Sequence, residues 1–339
     1  MSTCEETETR VAPEVATEAA ALTCCPLCRA ALTAAAARFE VTSAPIPTPT
    51  QLHVCAACGN GFNQPRPSAA VAAQFFAAAY HESGDPQLWS GAEMHPVFRR
   101  YLQVVGRYWR RGERRADAKR WLLDVGCGAG QFLALAREAG WAVRGVEVSR
   151  QAADYARAQH GLEVIEAPLA AAALPKSSCD VITSWKVFDH VDDPIAFLAA
   201  CRAALRPGGV LALSVANLDF HRRVEGAWRR LGAREHWRPP TVFHNFSFSA
   251  RGLRHVLQAQ GFSDVSIVNA PLDPRVPAVV RRVGVRCEPL VRGGVTALAA
   301  LIYHGSVHRC VWGPSLLALA RAEPLAPAPL RDTGPRAVQ

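Results

Sequence analysis

What this chain lacks narrows its class before any motif is considered. No apolar run approaches the ~20 residues that cross a bilayer, and the stretch Val295 to Tyr303 is far too short. The N-terminus, MSTCEETETR, is acidic and polar and lacks the basic-then-apolar pattern of a secretory leader. Charge is sparse at 20% of residues, yet Lys and Arg outnumber Asp and Glu by 38 to 29, leaving +9. That excess suits RNA, an anionic membrane surface or an anionic substrate, and does not choose among them. Half of the 339 residues are apolar, enough for one full α/β domain with additions.

A further absence sits in the most informative segment. Leu122 to Phe132 reads as an apolar strand ending in an acid, a glycine-rich turn, and a helix beginning at once. Gly126, Gly128 and Gly130 give G-x-G-x-G after Asp124, not the G-x-G-x-x-G of a dinucleotide pyrophosphate site. A pyrophosphate needs a helix N-terminus as an anion cradle. An acid at the strand end suits instead a zwitterionic amino-acid group with a sulfonium nearby. A helix from about Gln131 to Ala139 closes at Gly140, and Trp141 to Val148 reads as a second strand ending at Glu147. A carboxylate there can accept hydrogen bonds from both hydroxyls of a ribose.

The pattern continues in order. Cys179 to Ser184 is a short strand of the buried type. Asp193 and Pro194 make an N-cap and first-turn pair for a helix from Ile195 to Leu205. Arg206-Pro207-Gly208-Gly209 stops that helix, and Val210 to Val215 is the next strand. Three ordered motifs at these spacings resemble the class I S-adenosylmethionine (SAM)-dependent methyltransferases. The resemblance implies an α/β fold with a seven-stranded, Rossmann-like sheet. It also implies a cofactor cleft lined by Asp124, Gly126, Cys127, Gly128, Gly130, Glu147, Val148, Leu169, Ser184 and Trp185, with Glu147 on the ribose.

The 11 cysteines are unevenly placed, and without an export signal they point to a reducing compartment, the cytoplasm, and to metal over disulfides. Cys25-x-x-Cys28 and Cys55-x-x-Cys58 are two knuckles whose four thiolates can close a tetrahedral zinc shell, a closed structural site with no catalytic role. Cys24 is an adjacent decoy. A redox pair is the lesser reading, because two such motifs lie outside any βαβ unit. Together with the following residues, the knuckles are similar to a bacterial subgroup of the same methyltransferases that carries an N-terminal zinc ribbon, many of whose members are encoded with glycan or secondary-metabolite pathways. Arg29 departs from that subgroup, where glycine often follows the first knuckle. The Ala-rich loop with Pro45, Pro47 and Pro49 between the knuckles departs too.

The expected organisation is a disordered segment 1–22, a zinc ribbon 23–67, a helical lid or linker 68–120, the methyltransferase domain 121–322 with insertions at 217–250 and 275–312, and a disordered tail 323–339. The lid carries Phe75, Phe76 and Tyr80 and ends in a basic run: Arg99, Arg100, Arg107, Arg110, Arg111, Arg114, Arg115, Lys119 and Arg120, interleaved with Tyr101, Tyr108 and Trp109. Such a stripe suits phosphates and stacked bases. We read it instead as a solvated helix face whose aromatic side packs on the sheet domain. Arg275 to Arg292 is read as packing on the domain edge, with an anionic membrane or lipid-linked substrate as the other reading. Ser315 to Ala320 fits a last, antiparallel strand.

The expected activity is methyl transfer to a small-molecule or glycan acceptor, most often at oxygen. For a hydroxyl acceptor the protein must also remove a proton. His190, after the fourth strand, and His244, in the capping insertion that the family resemblance identifies, are the two candidate bases, and Asp189 either orients His190 or touches substrate. An RNA methyltransferase is the runner-up. Against it, the Asn-Pro-Pro-Tyr-type motif of exocyclic amino methylation is missing, Ser184-Trp185-Lys186-Val187 standing in its place. A non-catalytic binding subunit would need none of Asp124, the glycines or Glu147.

Overall fold

The computed structural model describes residues 23–32, 37–41, 50–64, 94–111, 119–230, 244–271, 301 and 311–324. The expectations for 1–22, for Phe75, Phe76 and Tyr80, for Arg114 and Arg115, for Arg275 to Arg292 and for the tail from 325 lie outside the described residues.

The larger sheet has seven strands in the order β10 (Phe262–Asn269), β11 (Ser315–Ala322), β8 (Leu205–Ala216), β7 (Cys179–Trp185), β4 (Trp121–Val125), β5 (Ala142–Glu147) and β6 (Val164–Glu166). The pairs from β8 through β6 are parallel, and β11 runs antiparallel between β8 and β10, as expected of the last strand. Central strands are apolar on both faces because helices cover both: Leu122, Leu123 and Val125 of β4 are all buried. Strand order reverses beside β4, so a crevice opens at the carboxyl ends of β4 and β7.

Local signals start and stop the helices. Ser149 caps α3 (Arg150–His160), accepting from the Ala152 N–H, and Gly161 ends it in a left-handed conformation. The Asp193 carboxylate accepts from the Ile195 and Ala196 N–H groups to cap α4 (Pro194–Ala204). α2 (Gln131–Glu138) follows the glycine loop directly. Ahead of the sheet, α1 (His95–Arg110) buries Tyr101, Tyr108 and Trp109 while Arg99, Arg100, Arg107 and Arg110 stay exposed. The aromatics of the basic stripe therefore pack inward, as the solvated-face reading expects.

Two features differ from the expectations. β8 begins at Leu205, which pairs with Cys179, and the Arg206–Gly209 turn is an irregularity within the strand before Val210 pairs with Val181. Gly208, with φ +78°, makes that departure possible. The ribbon is also less separate than its boundaries imply. β1 (Ala37–Val41), β2 (Thr50–Val54) and β3 (Gly61–Gln64) form an antiparallel meander completed by β9 (Phe246–Ser247), which lies 182 residues further on, Gly61 pairing with Ser247. Cys25, Leu27 and Phe62 share one apolar core with Leu123, Phe188, Phe246, Phe248 and Leu253. Beyond β8, α5 (Leu218–Arg230) begins the insertion, and α6 (Ala250–Ala259) follows β9, capped by the Ser249 hydroxyl.

Candidate active site

The cofactor side of the crevice is built from the turn after β4. Gly126 and Gly130 have φ of +73° and +80°, and a Cβ on either would strike Val187 or Leu162 at 2.3 and 2.5 Å. No side chain fits at either position, so the turn packs closely on Val187, Leu162 and Ala156. Gly126 and Cys127 donate their N–H groups to the Val146 carbonyl at 2.7 and 3.2 Å, tying the loop to β5. Cys127 itself turns inward against Gly145.

Two buried carboxylates flank the loop. Glu147 accepts the Gly128 N–H at 2.8 Å and the Ser149 N–H at 2.9 Å, one on each oxygen. Burial raises its pKa and these backbone donors oppose the rise. They fix the carboxylate plane and leave further lone pairs for a diol. Asp124 is 2% exposed and accepts the Thr183 hydroxyl at 2.6 Å. Burial pushes its carboxyl up to about 8, against the Thr183 bond, and the Glu147 charge adds to the rise. A ligand cation is what would ionise it.

The remaining expected residues divide. Val148 is 62% exposed next to Glu147, an apolar shelf open to a flat ring, and Leu169 is half-buried in a single helical turn after β6. Trp185 stacks on Tyr101 with centroids 4.3 Å apart, and its buried indole N–H has no hydrogen-bond partner among the described residues. Ser184 is different: its hydroxyl donates to the Val125 carbonyl at 3.0 Å and pins β7 to β4. A tight glycine turn, a carboxylate with lone pairs left for a diol, a buried acid that a ligand cation would ionise and a buried indole N–H without a partner among the described residues together fit an adenosyl amino acid such as SAM.

On the other side of the Gly126 turn, beyond β7, stand the two histidines. Asp189 is fully buried between them: His244 Nε2 lies 3.3 Å from Oδ2 and His190 Nε2 3.8 Å from Oδ1. The Ala216 N–H also donates to Oδ2, at 3.2 Å, and the imidazole centroids are 4.8 Å apart. Burial opposes ionisation of Asp189, but His244, His190 and Lys186 outweigh it and hold its pKa low. Burial lowers His244 to about 3, with Asp189 opposing, so the ring is neutral at pH 7 in the free protein. Lys186 sits at a left-handed φ of +60° and donates to the Ser315 hydroxyl. Both expected histidines are thus brought together, and Asp189 lies nearer to His244 than to His190.

Sequence reasoning missed His221. This imidazole, on α5, is lowered to about 4 by burial and then by the Lys186 charge, and its Nδ1 is buried without a hydrogen bond among the described residues. It acts electrostatically on His244. No periodicity marks it, because only the turn from β8 into α5 brings it to this end of the sheet.

The four knuckle cysteines form a separate centre. Cys25 and Cys58 Sγ are 3.9 Å apart, Cys28 and Cys55 Sγ 3.7 Å, and all four lie within 4.8 Å of one another. Sulfurs bound tetrahedrally at ~2.3 Å from one zinc stand about 3.8 Å apart. The knuckles share a backbone pattern: Arg29 N–H to the Cys25 carbonyl at 2.9 Å, Gly59 N–H to Cys55 at 2.8 Å. Arg29 and Gly59 occupy equivalent left-handed positions, with φ of +63° and +74°. The departure at Arg29 therefore changes the residue and keeps the shape.

A family model described as a methyltransferase domain matches residues 95–267, half of the chain. A ubiquinone biosynthesis O-methyltransferase of Idiomarina loihiensis is 31% identical over 163 residues, 45% of this chain and 65% of its own length. Its counterpart in Haemophilus ducreyi is 33% identical over 107 residues, 28% of this chain and 45% of that one. The chain spans about half the length of the curated relatives it matches. A solved structure of 1,6-didemethyltoxoflavin-N1-methyltransferase from Burkholderia thailandensis, with S-adenosylhomocysteine bound, aligns with TM-score 0.48 at 16% identity, over 85% of this chain and 99% of that one. The family match over residues 95–267 takes in the glycine turn and both carboxylates, and the chain belongs to the class I SAM-dependent methyltransferases.

Proposed function

We propose that this chain methylates a small-molecule or glycan acceptor from SAM, at a hydroxyl oxygen, with His244 as the base. The observation that carries the reading is the Asp189 carboxylate, on the turn after β7, buried between His244 and His190 at 3.3 and 3.8 Å. Glu147 holds the ribose hydroxyls, Asp124 the cationic amino-acid end, and Val148 and Leu169 the adenine. Bound there, SAM supplies a methyl group activated by its sulfonium. His244 takes the acceptor proton on the nitrogen turned away from Asp189, and the Asp189 charge stabilises the imidazolium that forms. His190 shares that charge and walls the acceptor side. The relatives named as ubiquinone biosynthesis O-methyltransferases favour oxygen.

Zinc belongs to the four-cysteine centre, whose sulfur spacing suits it, and a reducing cytoplasm suits the free thiols. The RNA reading loses its stacking platform, because Tyr101, Tyr108 and Trp109 are buried. No helix among the described residues is long and apolar enough to cross a membrane.

Labelled methyl transfer into fractionated lysate, with and without ribonuclease, tests the acceptor class. Label surviving the nuclease in small-molecule or glycan fractions supports the proposal, and label that vanishes moves the function to RNA. With the acceptor in hand, His244→Ala should lower turnover at least 100-fold while SAM affinity stays within about twofold. Near-wild-type rates in both His244→Ala and His190→Ala would remove the acid–base reading.

A further inference from the structure

We infer that the cysteine ribbon forms part of the acceptor side of the active site, with Asn63 on β3 positioning His244. The inference rests on the reading of His244 as the base. His244 and Asn245 lie in no regular element, immediately before the two-residue strand β9. A strand that short has no stability of its own. Its backbone is held from two sides. From the ribbon, the Asn63 side-chain amide donates to the His244 carbonyl, the Asn63 N–H donates to the Asn245 carbonyl at 3.0 Å, and Phe62 pairs with Phe246. From the sheet, the Phe246 N–H donates to the Asp189 carbonyl at 3.0 Å, and the Asn245 amide donates to the His190 carbonyl at 2.8 Å.

The ribbon side leads back to the knuckle in three steps. Asn60 gives its carbonyl to the Cys55 N–H at 2.9 Å, closing the second knuckle. Its side-chain oxygen accepts the Ser249 N–H at 3.2 Å, at the start of α6. A Cβ on Gly252 would fall 2.1 Å from that same oxygen, so α6 is seated directly on Asn60. Residues 244–249 therefore form a strap stretched between the cysteine centre and the Asp189–His190 turn. His244 reaches Asp189 only while both ends hold. Glu147 and Asp124 take their hydrogen bonds from Gly128, Ser149 and Thr183 instead, so cofactor binding need not follow the ribbon.

The test uses Asn63→Ala and Asn63→Asp in the full-length protein. The aspartate keeps the shape of the side chain and removes its amide donor, and neither change touches the Asn63 backbone bonds. Both should lower kcat at least tenfold, leave SAM affinity within about twofold, and leave zinc content and melting temperature close to wild type. A second readout follows the His244 imidazole by NMR of histidine-labelled protein. The groups that face this ring are Asp189, His190 and Lys186 from the β7 end and His221 from α5. If the ring leaves that enclosure, its titration moves upward toward the ordinary histidine range. Unchanged kcat and an unchanged imidazole titration in both variants would overturn the inference. So would a parallel fall of kcat, SAM affinity and melting temperature, which marks a general structural role. If His244→Ala keeps full activity, the base reading fails, and the imidazole titration still decides whether Asn63 positions the ring.

Discussion

Asp124→Asn should make the protein more stable and less able to bind its cofactor. In the fold the Asp124 carboxyl is buried and pushed up to about 8, whereas in the unfolded chain it titrates near the ordinary value of roughly 4. A raised acid binds its proton more tightly when folded, so stability falls as pH rises through the window between those two values. Each pH unit in that window costs the folded state about 1.4 kcal/mol, so the wild type loses on the order of 3 kcal/mol between pH 5 and pH 7 through this group alone. Asparagine is neutral throughout, matches the shape, and still accepts the Thr183 hydroxyl that Asp124 now holds at 2.6 Å. The stability gap in favour of Asp124→Asn should therefore widen by roughly 2–3 kcal/mol between pH 5 and 7, about 4–12 °C in melting temperature. Urea or thermal unfolding of both proteins at pH 5, 6 and 7 measures it. The same burial makes cofactor binding release a proton: at pH 6 the free enzyme carries a protonated Asp124, and a ligand cation ionises it. Calorimetry in two buffers of different ionisation enthalpy should find about one proton released per SAM in wild type and none in the variant, with affinity at least tenfold weaker. A stability gap independent of pH, together with no proton release in wild type, would refute the account.

Two further outcomes follow from the ribbon. Arg29→Gly should raise stability by up to about 1 kcal/mol, because glycine relieves the left-handed strain at φ +63° and gives back part of the gain in unfolded-chain entropy; a loss of stability in chemical unfolding would contradict the matched-knuckle geometry. Purified protein should carry about one zinc, and Cys25→Ser with Cys28→Ser should abolish it; metal analysis finding none in wild type would leave the four sulfurs without their common centre.

The geometry of the proposed cofactor half was legible because its signals are local. Asp124, Gly126, Gly130 and Glu147 fall within 24 residues, and each is required by a backbone event: a strand end, a left-handed turn, a second strand end. The Asp193–Pro194 cap and the antiparallel β11 were readable for the same reason. The acceptor half was legible only in part. His190 and His244 stood out as residues, but their common partner could not be seen, since Asp189 and His244 are 55 positions apart and joined by no repeating pattern. Tyr101 stacking on Trp185, 84 positions away, and the burial of His221 have the same character.

The ribbon shows what local reading misses most. The spacing of Cys25, Cys28, Cys55 and Cys58 is that of a metal site, and a closed shell of four thiolates would be purely structural. That argument concerns the metal, whose coordination leaves no position for substrate. It does not extend to the polypeptide around it. β9 contributes two residues, too few for any alternation of apolar and polar positions to announce a strand, and its partner β3 lies 182 residues earlier. Only the folded chain puts the Asn63 amide on the His244 carbonyl. A centre that takes no part in bond-making can still decide where the His244 imidazole stands, because a histidine outside regular structure has the geometry of whatever holds its backbone. In this protein that support comes from Asp189 and His190 on one side and from the strand closing the second cysteine knuckle on the other.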